Sequence, residues 1–284
     1  MPVRDLRGKR CLITGAASGI GRATALAAAA RGAELYLTDL KEEGLERVRA
    51  EIEGAGGTVG HLRALDITDH AAVVALAEEI HAGHGSMDVV MNVAGVSTWG
   101  PIDELQHGDW RKMVDVNLMG PIAVLESFVP PMIEAGQGGH IVNVASAAGL
   151  IALPWHAAYS ASKFGLRGVS EVLRFDLRRH GIGVSLVCPG AVATPLVGTL
   201  EVRGVDRQHP AFQEAVEDFE KRAVTPERVA EKIIGGVEKN RYLVFTSADI
   251  RLAYWWQRKF SPAYDLAMRF LQRRFGAVVK RAKA

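Results

Sequence analysis

Cysteine is nearly absent. Two of the 284 residues, Cys11 and Cys188, carry thiols, and both sit inside apolar runs, RCLIT and VSLVCP. Thiols placed so read as buried strand residues, which excludes a disulfide framework and points to a reducing compartment, the cytoplasm. No Cys/His cluster has ligand spacing, so no metal is expected. Long hydrophobic runs are missing as well. The opening MPVRDLRGKR has no apolar core, so no signal peptide is expected. The alanine-rich run from Ala23 to Ala30 is short, and no stretch of about eighteen apolar residues appears, so no membrane span is expected. Internal repeats and low-complexity linkers are also absent.

What is present is ordinary globular material, 48% apolar and 23% charged, enough for a sizeable core without staples. The net charge of +2 conceals an asymmetry: residues 249–284 hold nine Lys/Arg against Asp249 and Asp265, which leaves the rest of the chain at −5.

Short apolar runs alternate with helical patterns. CLITG precedes a helix from Gly19 to about Ala30; AELYLTD precedes one through Leu45 and Ile52; VGHLRALDI precedes one from His70 to Ala82. MDVVMNVAG leads to a long helix from about Asp109 to Ala135, and HIVNVAS to one from about His156 to His180. GVSLVCPG leads into the segment 194–222. A helix from Pro226 to Lys239, with Thr225 as N-cap, precedes YLVFT. Seven strand-like runs alternating with helices predict an α/β fold, one parallel sheet wound on both faces. A single catalytic domain over residues 1–248 is expected, with a mobile lid at about 194–222 and a C-terminal helical extension over 249–284.

Thr14 to Gly21, TGAASGIG, follows the first strand and opens the first helix. Gly15, Gly19 and Gly21 permit a tight turn and let backbone approach a pyrophosphate, while the helix N-terminus at Ser18 and Ile20 offers free N–H groups. Asp39 ends the second strand, 18 residues after Gly21. A carboxylate there accepts both hydroxyls of an adenosine ribose and repels a 2′-phosphate, which favours NAD over NADP.

Further pieces stand in order: NVAG (Asn92 to Gly95), DVNLMG with Asn117, Ser146 ending the fifth strand, Tyr159-Ser160-Ala161-Ser162-Lys163, and Pro189-Gly190 with Thr194. With the glycine turn, these motifs make residues 6–246 resemble the short-chain dehydrogenase/reductase family. Two departures are Val93, where the family often has a second Asn, and Ala145, where many members have Ser. The resemblance implies sheet order 3-2-1-4-5-6-7 and a homo-tetramer or homo-dimer built on the long helices around Asn117 and Tyr159. It implies a catalytic set of Ser146, Tyr159, Lys163 and Asn117. Asp66 and Ile67 would contact adenine, and Asn92, Ala94 and Gly95 would line the cofactor. Val192 would meet the nicotinamide carboxamide, with Pro189, Gly190 and Thr194 beside it.

The chemistry is consistent with those roles. Oxidising an alcohol requires removal of its hydroxyl proton, and a free phenol, with a pKa of about 10, is a poor base. Tyr159 and Lys163 lie four apart on a helix, so an ammonium stands one turn from the phenol. It is expected to lower the phenol pKa by roughly two or three units. Ser146 would steady alkoxide charge, and Asn117 would hold a water linking Lys163 to solvent. His156 reads as a loop residue at the helix start. Loops at the carboxyl ends of the strands carry Val96, Trp99, Ile151, Leu153, Trp155, Leu196, Val197 and Leu200, an apolar lining suited to a small hydrophobic substrate.

The sequence therefore implies an NAD-dependent oxidoreductase interconverting a secondary alcohol and a ketone, or an alcohol and an aldehyde. Two alternatives stand beside it: an NADP-dependent 3-oxoacyl or ketone reductase, and a catalytically silent nucleotide-binding or membrane-docking protein. The tail leaves two readings open. One is a helix pair packed on the body or a neighbouring subunit with a solvated basic face. The other is peripheral membrane contact through an amphipathic helix on an anionic surface. No motif supports nucleic-acid binding.

Overall fold

Alternate residues of the central strands face two different cores, and this lets one sheet carry helices on both sides. The computed structural model describes residues 2–194, 200–205 and 208–283. Seven parallel strands form the main sheet: β1 (Arg10–Thr14), β2 (Glu34–Asp39), β3 (Thr58–Ala64), β4 (Val89–Asn92), β6 (Gly139–Val144), β7 (Ile182–Cys188) and β9 (Leu243–Phe245). Their order is β3-β2-β1-β4-β6-β7-β9, the order implied by the resemblance once only these seven strands are counted. Two short strands not expected from sequence, β5 (Thr98–Trp99) and β8 (Glu201–Val202), pair with each other in parallel.

Cys11, Ile13, Leu35 and Leu37 point to one core, where Ile233 and Val237 meet them. Leu12 and Tyr36 point to the other, with Val90, Ile141 and Phe128. The helices are α1 (Gly19–Ala29), α2 (Glu42–Gly54), α3 (His70–His84), α4 (His107–Val114), α5 (Gly120–Ala135), α6 (Ala157–Asp176), α7 (Pro210–Arg222), α8 (Pro226–Glu238), α9 (Ala248–Lys259) and α10 (Ser261–Lys283). α8 is capped as the sequence indicates: Thr225 Oγ1 accepts from Arg228 N, with Pro226 in the first turn.

The long helix expected from Asp109 starts two residues earlier. Gln106 N donates to the Asp109 carboxylate, a capping box that begins α4 at His107. A π-helical turn at Asp115–Met119 joins α4 to α5. Contrary to expectation, this continuous helix, His107–Ala135, is long and apolar enough to cross a membrane by length and composition. Half of its most apolar stretch is buried in the domain, which accounts for that composition.

Both cysteines are buried, in β1 and at the end of β7.

Candidate active site

The strand order reverses between β1 and β4, and loops leaving the carboxyl ends of β1, β4, β6 and β7 meet there, the place where open α/β sheets bind ligands. Thr14 ends β1. Its hydroxyl accepts from Val93 N at 3.0 Å and Ala94 N at 3.1 Å, tying the two loops together. Gly15 has φ +70°, and a Cβ there would lie 2.7 Å from Ala94 Cα. A side chain on Gly21 would collide with the Gly15 carbonyl. Ser18 starts α1 without a side-chain cap, so the first-turn N–H groups of Gly19, Ile20 and Gly21 keep their capacity for an anion. This side-chain-free cradle fits a dinucleotide pyrophosphate.

Asp39 stands at the end of β2, its carboxylate accepting from Ala17 N and Lys41 N at 3.1 Å each. Asp66 is exposed and caps its own turn through Thr68 N; Ile67 is buried. Beneath the site runs a polar chain: Asn92 Nδ2 donates to Asn143 Oδ1, and Asn143 Nδ2 donates to Ser170 Oγ, both at 2.9 Å. Asn92 Oδ1 is buried without a partner, an acceptor the cofactor edge of the site can satisfy.

The four predicted catalytic residues come together, but not on the expected terms. Ser146 Oγ accepts from Ala148 N at 3.1 Å, starting a short 3₁₀ turn. That hydroxyl also acts on the Tyr159 phenol, favouring its ionised form. Lys163 Nζ lies 5.8 Å from the centre of the Tyr159 ring and donates to the Val144 carbonyl at 3.0 Å. Burial pushes the Lys163 ammonium down to about 8. Burial also raises the Tyr159 phenol above its ordinary value, with the Ser146 hydroxyl pulling the other way. The expected lowering of the phenol by Lys163 is therefore corrected for the protein alone: desolvation wins, because the ammonium is bound to a carbonyl instead of the phenol.

Asn117 makes a two-way tie: its Oδ1 accepts from Val96 N and its Nδ2 donates to Val96 O, both at 2.9 Å. The amide locks the loop after β4. The π turn that carries it is a common device for placing such a residue.

Val192 is buried and bridges to Val224, and Ala193 N donates to Val224 O at 3.0 Å. Pro189 O accepts from Ala147 N, so the Pro189–Thr194 loop is tied to the loop of Ser146. Trp99 stacks on His156, with ring centres 4.2 Å apart, and His156 lies 6.3 Å from the Tyr159 ring. His156 is buried, bonded to Pro154 O at 2.6 Å through Nδ1, and held down to about 4 by burial. Trp155 adopts φ +66° and accepts from Gly100 N, backbone strain of a kind that gathers at functional sites. Leu153 packs partly buried towards α9 and α10, Ile151 and Leu200 are buried, and Val96 is half-buried. Leu196 and Val197 lie outside the described residues.

Sequence reasoning missed three contributors. The Thr14 hydroxyl is signalled only by its place before Gly15. Asn143 hides inside an apolar strand. Arg203 reaches across the β5·β8 pair: its N donates to Trp99 O, and its guanidinium grips the buried Asp109 carboxylate, with Nη2 to Oδ1 at 2.6 Å. Arg203 holds the Asp109 carboxyl below the usual carboxylate range.

The short chain dehydrogenase family matches residues 9–203. D-threitol dehydrogenase of Mycolicibacterium smegmatis is 42% identical over 191 residues, 67% of this chain and 73% of that protein. "Probable oxidoreductase EphD" of Mycobacterium tuberculosis is 36% identical over 233 residues, 81% of this chain; the matched chain spans only 39% of that protein's length. Among solved structures, a short chain dehydrogenase/reductase from Burkholderia phymatum in complex with NAD superimposes with a TM-score of 0.79 at 30% identity, covering 90% of this chain and 96% of that one.

Proposed function

From the premise that this chain belongs to the short-chain dehydrogenase family, we infer that it is an NAD-dependent oxidoreductase interconverting a secondary alcohol and a ketone, or an alcohol and an aldehyde, on an apolar substrate. The observation that carries this reading is the convergence of Ser146, Tyr159 and the Lys163 ammonium, 5.8 Å from the Tyr159 ring centre, with the uncapped glycine turn at the same edge of the sheet.

Gly15, Ser18, Gly19, Ile20 and Gly21 would hold the pyrophosphate, Asp39 the adenosine ribose, and Asp66 and Ile67 the adenine. Asn92, Ala94, Gly95, Pro189, Gly190, Val192 and Thr194 would line the nicotinamide half. A bound nicotinamide supplies the acceptor or donor for hydride. In oxidation, Tyr159 takes the hydroxyl proton while Ser146 donates to the substrate oxygen and steadies its developing charge. In the reverse direction Tyr159 returns that proton. Lys163 favours the phenolate once positive charge from the oxidised ring adds to its own.

Asp39 favours NAD, since its charge opposes a 2′-phosphate. Trp99 and His156 stand beside Tyr159, and Leu153 and Trp155 from the same loop would extend a mostly apolar wall for the substrate. A homo-dimer or homo-tetramer through α5 and α6 is part of this reading. α6 exposes Phe164, Val172 and Phe175, and residues of the two helices, Ile122, Leu125, Val129, Val169 and Leu173 among them, line a surface cavity of about 290 Å³. The catalytic domain is assigned to residues 1–248, with a lid at about 194–222 and the extension beyond.

The test is formation of reduced nicotinamide from NAD or NADP with a panel of hydrophobic secondary alcohols, steroids and retinoids, with threitol as the polar comparison. Turnover of the apolar members with NAD is expected. Absence of reduction with every member, or preference for threitol, overturns the substrate reading.

A further inference from the structure

The inner faces of the two C-terminal helices are well anchored. α9 buries Ile250 and Tyr254, one turn apart, against Leu150, Ile151, Leu186 and Cys188. Ile250 occupies the space above Gly190, where a Cβ would lie 2.6 Å from its Cδ1. The Tyr254 hydroxyl accepts from Arg167 and Arg258 at 3.0 Å each. α10 is held by Tyr264, whose hydroxyl accepts from Ala152 N at 2.8 Å and donates to Ala152 O at 3.3 Å. It also packs along α7 and α9.

Their outer faces have no such cover. Leu252, Trp255, Trp256 and Lys259 follow one another at i, i+3, i+4 and i+7, as do Leu266, Arg269, Phe270 and Arg273, so each set shares a face. Among the described residues, twelve large apolar side chains are exposed, and six lie here: Leu252, Trp255, Trp256, Phe260, Leu266 and Phe270. The least exposed of these, Trp256, is 45% open, and Leu266 is 71% open. The same 36 residues carry nine Lys/Arg and two Asp.

Apolar surface left in water is costly, so this face calls for a cover. A second copy meeting it across a two-fold axis would bring like patch to like patch, setting Arg251, Lys259, Arg269 and Arg273 against their own images. An anionic lipid surface suffers no such conflict. Trp, Phe and Leu sink into the headgroup and acyl boundary, while Lys and Arg reach the phosphates above them. We propose that the outer face of α9 and α10 is a peripheral docking surface for an anionic lipid bilayer. Docking stands apart from the redox reading and is measured without turnover. Through the Tyr264–Ala152 bonds the docked face adjoins the loop that carries Trp155 and His156.

The experiment is sedimentation of the purified full-length protein with vesicles of phosphatidylglycerol and phosphatidylcholine, against phosphatidylcholine alone, with tryptophan emission followed. Two triple variants are compared: Trp255→Ser with Trp256→Ser and Phe270→Ser, and Arg251→Gln with Arg269→Gln and Arg273→Gln. The wild type is expected to bind the anionic vesicles, to shift its emission to the blue and to release as salt rises. Removing three cations is expected to weaken binding roughly a hundredfold. The aromatic variant is expected to lose both binding and shift, with its thermal unfolding unchanged. No binding to anionic vesicles at low salt, equal binding to neutral ones, or binding unmoved by both variants would overturn the proposal. So would light scattering that shows the aromatic variant breaking apart a wild-type oligomer.

Discussion

Lys163 and Tyr159 stand one helical turn apart, yet the ammonium spends its hydrogen bond on the Val144 carbonyl at 3.0 Å and not on the phenol. Burial therefore governs both groups while the protein is alone, lowering the lysine to about 8 and raising the tyrosine. The phenolate absorbance that distinguishes wild type from Tyr159→Phe is expected only above the ordinary tyrosine range of about 10. With oxidised nicotinamide bound, it is expected to move down. A cofactor-free Tyr159 titrating well below that range would contradict this assignment of causes.

Arg203 connects the end of β8 to Trp99 and to Asp109. Arg203→Ala leaves a buried carboxylate with Gln106 N as its remaining named partner, a loss of about 1–3 kcal/mol. Urea unfolding reads that cost. Because Trp99 stacks on His156 beside Tyr159, KM for a bulky apolar alcohol is expected to rise by more than kcat falls. Arg203→Lys is expected to restore part of both. Equal loss for small and bulky substrates would point to a purely structural role.

Asp39→Ser removes the charge that opposes a 2′-phosphate and also releases the N–H groups of Ala17 and Lys41. Activity with NAD is expected to fall, and the NADP/NAD ratio of kcat/KM to rise about tenfold, corresponding to about 1.4 kcal/mol. A ratio that does not move would remove Asp39 from cofactor selection.

His140 and His156 are buried and held down to about 4, whereas in the unfolded chain they protonate near about 6.5. Between those values the unfolded state binds more protons, so stability is complete above about 6.5 and declines as pH falls towards 4. The decline is about 1.4 kcal/mol per pH unit for each group. Denaturation midpoints at stepped pH are expected to follow that slope, and His140→Gln to reduce it. A stability flat across the window would refute the burial argument.

The sheet was legible in the sequence because strands covered on both faces are nearly continuous apolar runs, as in HIVNV and VSLVC, and strong caps such as Thr225 mark helix starts. The glycine turn and the Tyr159/Lys163 spacing were legible because local geometry fixes them: one turn, one helix face. Contacts that depend on tertiary folding were hidden. Nothing in DVNLMG says that the Asn117 amide is spent on Val96, and nothing near Arg203 says that it closes on Asp109, 94 residues away. The two-residue strands β5 and β8 are too short to carry a periodic signal. The desolvation of Tyr159 also escaped, since spacing gives the nearness of a charge but not the cost of burial.

The central claim is that the Tyr159 phenol moves the substrate proton. Reduced-nicotinamide formation from an apolar secondary alcohol by wild type and by Tyr159→Phe, with NAD affinity measured alongside, tests it most directly. The account predicts a fall of roughly 10²- to 10⁴-fold in kcat with NAD binding retained. Undiminished turnover in Tyr159→Phe would contradict it.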